Sequence, residues 1–286
     1  AFMAIGAYSV VILQNKLGFS FILALPLAGL ISAFVGFLIA LPTTKLHGIY
    51  LAILTLAISV LVEDLIVLAA PITGGVNGMF ASDIEIFKIN FGRYSSISYL
   101  YWLVLLSTIS LILLYKNILR SPLGRNFAAI RDSEISAAAM GVNVVTTKGL
   151  AFAISSFYTG IAGAFFAHFA TAFNYETFNV IMSITILLMI VVGGVGSIHG
   201  AFLGAIFITL LPVSISFFRD FALESIGLNL TTLPGIETGV FSVILIAFLM
   251  FEPLGLYGAW IKTRTYFELF PLYRKDMFRR QKSYLK

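Results

Sequence analysis

The chain has 286 residues, of which 59% are hydrophobic and only 11% charged, with a formal net charge of +5. So little polar side chain cannot cover a water-soluble globule of this size, so lipid must be the solvent. With no cysteine, a disulfide framework, a thiolate metal site and a cysteine nucleophile are all excluded.

Crossing a hydrocarbon core takes about 20 helical residues, and apolar runs of about that length recur along the whole chain. In chain order they are Phe19–Leu41, Ile49–Ala70, Tyr99–Tyr115, Leu150–Ala172, Val180–Val195, Ala201–Phe218 and Ile236–Phe251. A shorter run, Ala1–Leu13, precedes them. Their recurrence excludes a lone signal peptide, and their continuous apolarity excludes the alternating strands of a membrane barrel. The reading is an all-α, polytopic transmembrane helix bundle of about seven to eight spans, forming a single membrane domain over residues 1–286 without tandem repeats.

The basic residues are distributed unevenly between the loops. If residues 116–148 and the tail 252–286 share one side, alternation adds the Pro42–Gly48 turn and the Gly193–Gly200 segment to it. That side then holds Lys45, Lys116, Arg120, Arg125, Arg131, Lys148, Lys262, Arg264, Arg274, Lys275, Arg279, Arg280, Lys282 and Lys286. The other holds Lys16, Lys88, Arg93 and Arg219, so the positive-inside rule makes the first side cytoplasmic and the C-terminus with it. Two polar stretches, Pro71–Ser98 and Arg219–Gly235, then face outward, where an external partner can reach them.

The 116–148 loop carries its own helix punctuation. Ser121 suits an N-cap, Pro122 the first helical position and Gly141 a left-handed stop, which predicts one helix over Pro122–Met140. Leu123, Phe127, Ile130 and Ala138 give it an apolar side, and Arg125, Arg131, Asp132 and Glu134 a polar one. Two roles fit such a helix: lying on the lipid surface, or docking another protein.

Within the spans, Thr55, Ser59 and Glu63 share one helix face at four-residue spacing, a polar stripe suited to a translocation pathway. The competing account has Thr55 and Ser59 bonding back to their own helix carbonyls, with Glu63 marking the outer boundary. Gly160 and Gly163, with Ala164 and Ala167, form a small-residue pattern that lets a second helix approach closely. Gly196, Gly200 and Gly204 repeat it at intervals of four. The isolated His168 and His199 have no metal-ligand spacing and read as packing or interfacial residues.

Several chemistries have no residues to carry them. The Gly193–Gly196 segment lacks the Lys-Ser/Thr of a phosphate-binding loop, and no H-E-x-x-H or G-x-S-x-G occurs. The basic tail follows a last span and reads as an orientation signal, not a nucleic-acid site. The chain is expected to be a transporter subunit with no cofactor, no metal and no catalytic residue of its own.

The segments GAYSV, HGIYLAILTLA, TGGVNGM, the SPLGR to GVN loop, GGVGSIHGAFLGA and FPLYRKDMFRRQKSYL together resemble the LivM-type branched-chain amino-acid permeases, which are ABC importer subunits. The resemblance implies that the loop docks on a cytoplasmic ATPase, with Glu134, Ala137, Ala138 and Gly141 matching the acidic residue, small residues and glycine of the coupling segment. It also implies a second homologous permease subunit, two ATPase subunits, an external substrate-binding protein and a bacterial or archaeal inner-membrane location. Further hydrophobic sequence upstream of GAYSV is expected from it. Related permeases carry urea or short amides, so these stay open as substrates, and an ion-coupled secondary transporter using Glu63 or Asp64 stays open as a mechanism. A non-transporting membrane scaffold is the remaining alternative.

Overall fold

The computed structural model describes residues 1–43, 49–86, 89–93, 96–226, 236–251 and 255–268. Lys45, Lys88, the side chain of Arg219, most of the second outward stretch and the tail beyond residue 268 therefore lie outside the described residues. By internal contacts the chain divides into two compact units, Ala1–Val180 and Ile181–Lys286.

The first unit opens with α1 (Phe2–Asn15), α2 (Phe21–Thr43), α3 (Ile49–Leu68) and a one-turn α4 (Ala70–Thr73). Short strands β1 (Met79–Phe80), β2 (Ile84–Ile86) and β3 (Ile89–Phe91) follow, then α5 (Ile97–Arg120), α6 (Pro122–Asp132), α7 (Glu134–Ala139), α8 (Val144–Ala170) and β4 (Ala172–Phe173). The chain continues through α9 (Val180–Gly193) into the second unit, with α10 (Ile198–Ile226), α11 (Ile236–Phe251) and α12 (Gly255–Glu268). The fold is a polytopic helical bundle.

Among the described residues, five helices are long and apolar enough to cross a membrane, and α3 with α4, bent by 79° at their junction, makes a sixth if counted as one span. The count expected from the sequence is higher because it includes shorter helices. At a rise of about 1.5 Å per residue, the 14 residues of α1 reach only about 21 Å against a core of roughly 30 Å.

The centre of the first unit is the packing of α8 against α1 and α2, and small residues make it possible. A Cβ on Gly6 of α1 would strike the backbone of Gly160, and one on Gly163 would strike the carbonyl of Met3. A Cβ on Gly160 would also meet Ser32 of α2, and one on Gly36 would meet Ser156 of α8. In α2, Ala28, Ser32, Gly36 and Ala40 are all buried at four-residue intervals, which is the spacing that brings one helix backbone onto another.

The described residues of 70–93 form a compact cap tied to this three-helix core. β1 pairs antiparallel with β4, Met79 opposite Phe173 and Phe80 opposite Ala172. Asn15 Nδ2 donates to Phe80 O at 2.9 Å, and Lys16 Nζ to Pro71 O at 2.8 Å. Arg93 donates to Phe169 O at 3.2 Å while its guanidinium sits 4.7 Å from the Phe169 ring centroid. Beneath, Tyr8 meets Phe173 edge-on at 5.0 Å, and Phe178 packs against Phe173 at 5.9 Å.

The second unit has its own core, Val192 on α9, Ile208 on α10 and Leu245 on α11, with Leu188, Phe207 and Phe248 packed around it. Here α9 and α10 meet through glycine. A Cβ on Gly193 would strike Gly200 O, and one on Gly204 would strike Met189 O and the backbone of Gly193.

Candidate functional site

The segment between α5 and α8 is two helices, not the single one expected over Pro122–Met140. Ser133 breaks it: its backbone is extended (φ −161°, ψ 115°), and its side chain caps α7 by accepting from Ser136 N at 3.2 Å. A serine satisfied by starting a new helix has less to gain from continuing the old one. Ser121 takes the N-cap position and Pro122 the first position of α6, but Ser121 Oγ turns back to donate to Ile118 O at 2.6 Å and makes no capping bond.

α7 ends in a full Schellman turn. Gly141 adopts φ +86°, its N–H bonds to Ala138 O and that of Val142 to Ala137 O, both at 3.0 Å. Asn143 then caps α8, accepting from Thr146 N at 3.1 Å. Two caps and a glycine turn thus fix the path from α7 into the α8 span.

The break splits the expected faces. Phe127 and Ile130 of α6 turn toward α8, where with Arg131, Thr147, Lys148 and Ala151 they line a hollow of about 180 Å³. Ala138 does not share this apolar face; it is exposed on α7, as are Arg125, Arg131, Asp132 and Gly141 elsewhere in the segment. Ala137 is fully buried. The strongest apolar exposure in this segment is Ile135 at 85% and Met140 at 73%, neither singled out from the sequence.

Glu134 departs most from expectation. Its Oε1 lies 2.7 Å from Lys148 Nζ of α8, with the two side chains only 34% and 20% exposed. Arg131 and Asp132 instead pair with each other at 3.0 Å on the open surface, at 78% and 70% exposure. In the sequence Lys148 is one of many cations, because a partner fourteen positions away across a helix boundary leaves no periodic signal.

On α3 the two accounts of the polar stripe separate at Ser59. A back-bonded serine donates to the carbonyl four residues earlier, as Ser107 and Ser110 of α5 do to Leu103 and Leu106 at 2.7 and 2.9 Å. Among the described residues, Ser59 Oγ is buried without a hydrogen-bond partner, and so are Glu63 Oε1 on the next turn, Tyr8 OH on α1 and Ser156 Oγ in the α2–α8 seam. Thr55 is half-buried and has a partner. Buried oxygens left unpaired are costly. Tyr8 carries no signal in the sequence; it sits in an apolar run.

The glycine patterns divide as well. Gly160 and Gly163 lie in the α8 seam against α2 and α1, and Gly200 and Gly204 lie at the α9–α10 approach. Gly196 is not on that ridge: it precedes α10 in a turn at φ +87°, with open space around its Cβ position. Gly193, on the preceding helix, makes the contact in its place. Both histidines pack, His168 buried with Nε2 2.7 Å from Gln14 Oε1 and His199 stacked on Tyr257 at 5.7 Å. Among the described residues no cluster of His, Asp and Glu has the makings of a metal site.

These features define a multi-pass helical membrane protein whose spans pack through glycine and whose connecting segment folds as a separate helical module. The chain belongs to the family of branched-chain amino acid transport system permease components, which matches residues 1–251. It is 34% identical, over 241 residues, to the high-affinity branched-chain amino acid transport system permease protein LivM of Salmonella typhimurium and equally to that of Escherichia coli, covering 77% of this chain and 56% of each relative. To the probable LivM of Methanocaldococcus jannaschii it is 28% identical over 82% of this chain and 67% of that protein. It thus spans little more than half the length of the two bacterial relatives. No solved structure matches it.

Proposed function

We propose that this chain is the transmembrane subunit of an ABC importer that moves branched-chain, hydrophobic amino acids inward by alternating access. Its partners are a second homologous permease subunit, two cytoplasmic ATPase subunits and an external substrate-binding protein. The observation that carries this reading is the α6–α7 module of a branched-chain permease family member, set between two spans and exposing Ile135 and Met140 beside Arg131 and Asp132. Exposed apolar side chains in a segment that also carries exposed charges suit a protein contact.

In this reading the α6–α7 module and the C-terminus are cytoplasmic, consistent with the charge asymmetry. Arg125, Arg131, Asp132, Ala138 and Gly141 shape the coupling surface over the buried Ala137, and ATP-driven closure of the ATPases displaces it. Thr55, Ser59 and Glu63 line the pathway, supported by the unpaired Ser59 and Glu63 oxygens. The residues 116–148 act as the coupling loop and 252–286 as a basic cytoplasmic tail within one membrane domain.

The test is the double variant Ile135→Asp/Met140→Asp. It is expected to lose ATPase co-purification and at least about tenfold of ATP-driven leucine uptake in reconstituted vesicles, with membrane insertion retained. Full uptake by that variant would reject the docking surface. The buried, unpartnered Glu63 oxygen favours one second reading, ion-coupled transport. Leucine uptake driven by a proton or sodium gradient without ATPase subunits, and abolished by Glu63→Gln, would replace the first reading with it.

A further inference from the structure

We propose that Glu134 is a positioning residue that acts through Lys148, locking α7 to the start of α8, and is not itself a contact for the ATPase. The inference rests on the coupling reading above and sharpens it by separating the groups that receive the push from the group that transmits it.

The geometry is that of a two-point attachment. At its C-terminal end α7 joins α8 through Gly141, Val142 and Asn143, a link held by the Schellman turn and the Asn143 cap. Its other end continues from α6 through the extended Ser133. Glu134 is the first residue of α7, at the far end, and its bond to Lys148 at 2.7 Å supplies the second tie. With both ends tied to α8 and Ala137 fully buried between them, α7 and the start of α8 are placed to move together.

The setting favours the pair. Lys148 lines the apolar hollow beside Phe127, Ile130 and Ala151, so its stem is packed and its ammonium is aimed. Partial burial of both partners reduces solvent screening, which the neighbouring Arg131–Asp132 pair on the open surface does not enjoy. Glu134 is thereby turned inward, while Ile135 and Met140 point out. Because α8 lies backbone to backbone with α1 at Gly160 and Gly163, any displacement of α7 passes to α8 and its two neighbours as one body.

The experiment uses the whole transporter, reconstituted with its ATPase and binding-protein partners, and reads leucine transported per ATP hydrolysed. Glu134→Lys and Lys148→Glu are each expected to lower that ratio roughly fivefold while ATPase subunits still co-purify. The swap Glu134→Lys/Lys148→Glu is expected to restore at least about half of it. Lys148→Met, which keeps the packed stem, should uncouple like Lys148→Glu, and it serves as the read-out if a charge-reversed chain fails to insert. The proposal is overturned if Lys148→Met keeps the wild-type ratio, or if the swap stays as uncoupled as Glu134→Lys. Loss of co-purification confined to Glu134 variants would instead place Glu134 on the ATPase. A wild-type complex with no substrate-stimulated hydrolysis would reject the ABC reading itself, a different result from any of these.

Discussion

α5 and α8 are both long, apolar membrane-length helices in the same unit, yet 39% of the apolar window of α8 is buried inside the protein against 6% for α5. Apolarity does not explain the difference. The 24 residues of α5 contain no glycine and no alanine, and Leu106 and Leu113 remain 69% and 57% exposed. α8 carries Gly149, Gly160, Gly163, Ala164 and Ala167 among its buried positions. In water the more hydrophobic helix goes inside; in lipid a leucine gains nothing by leaving the acyl chains, so close packing decides, and close packing needs small residues.

The comparison is most sharply tested where backbone meets backbone. Gly6→Leu has no side chain to push aside at Gly160, so it is expected to cost about 3 kcal/mol or more and to remove most folded protein in detergent melts. Gly204→Val in the second unit presses on Met189 O and is expected to cost about 2 kcal/mol by the same measurement. His168→Phe keeps the ring volume but strands Gln14, which should lower stability by about 1 kcal/mol. Leu106→Ala on α5 is expected to change stability by under ~0.5 kcal/mol, since lipid replaces what is lost. If Leu106→Ala proved as damaging as Gly6→Leu, the contrast between the two helices would collapse.

Much of this was legible in the sequence where the signal is local. The long apolar runs, Pro122 opening a helix and Gly141 closing one each depend on a few adjacent residues, and the structure has them where the pattern puts them. What escaped depends on residues far apart or on a choice between two local options. Ser133 can continue a helix or cap the next, and the chain takes the second option. Glu134 and Lys148 lie on different helices. The Ala28, Ser32, Gly36 and Ala40 series of α2 takes its meaning from Ser156 and Gly160 of α8, which face it. On α3, the stripe was readable and the unpaired state of Ser59 was not, since hydrogen bonding is settled by what surrounds the helix.

The pairing of β1 with β4 bears on how the protein is made. Met79 and Phe80 leave the ribosome long before Ala172 and Phe173, with α5, α6, α7 and α8 between them. At ~5–20 residues per second, the interval of about 90 residues lasts roughly 5 to 18 s. During it Met79 and Phe80 have no strand to join, and Arg93 has no Phe169 to rest on. Closure of this small ladder therefore registers that α8 has been delivered, making the cap a late seal on biogenesis.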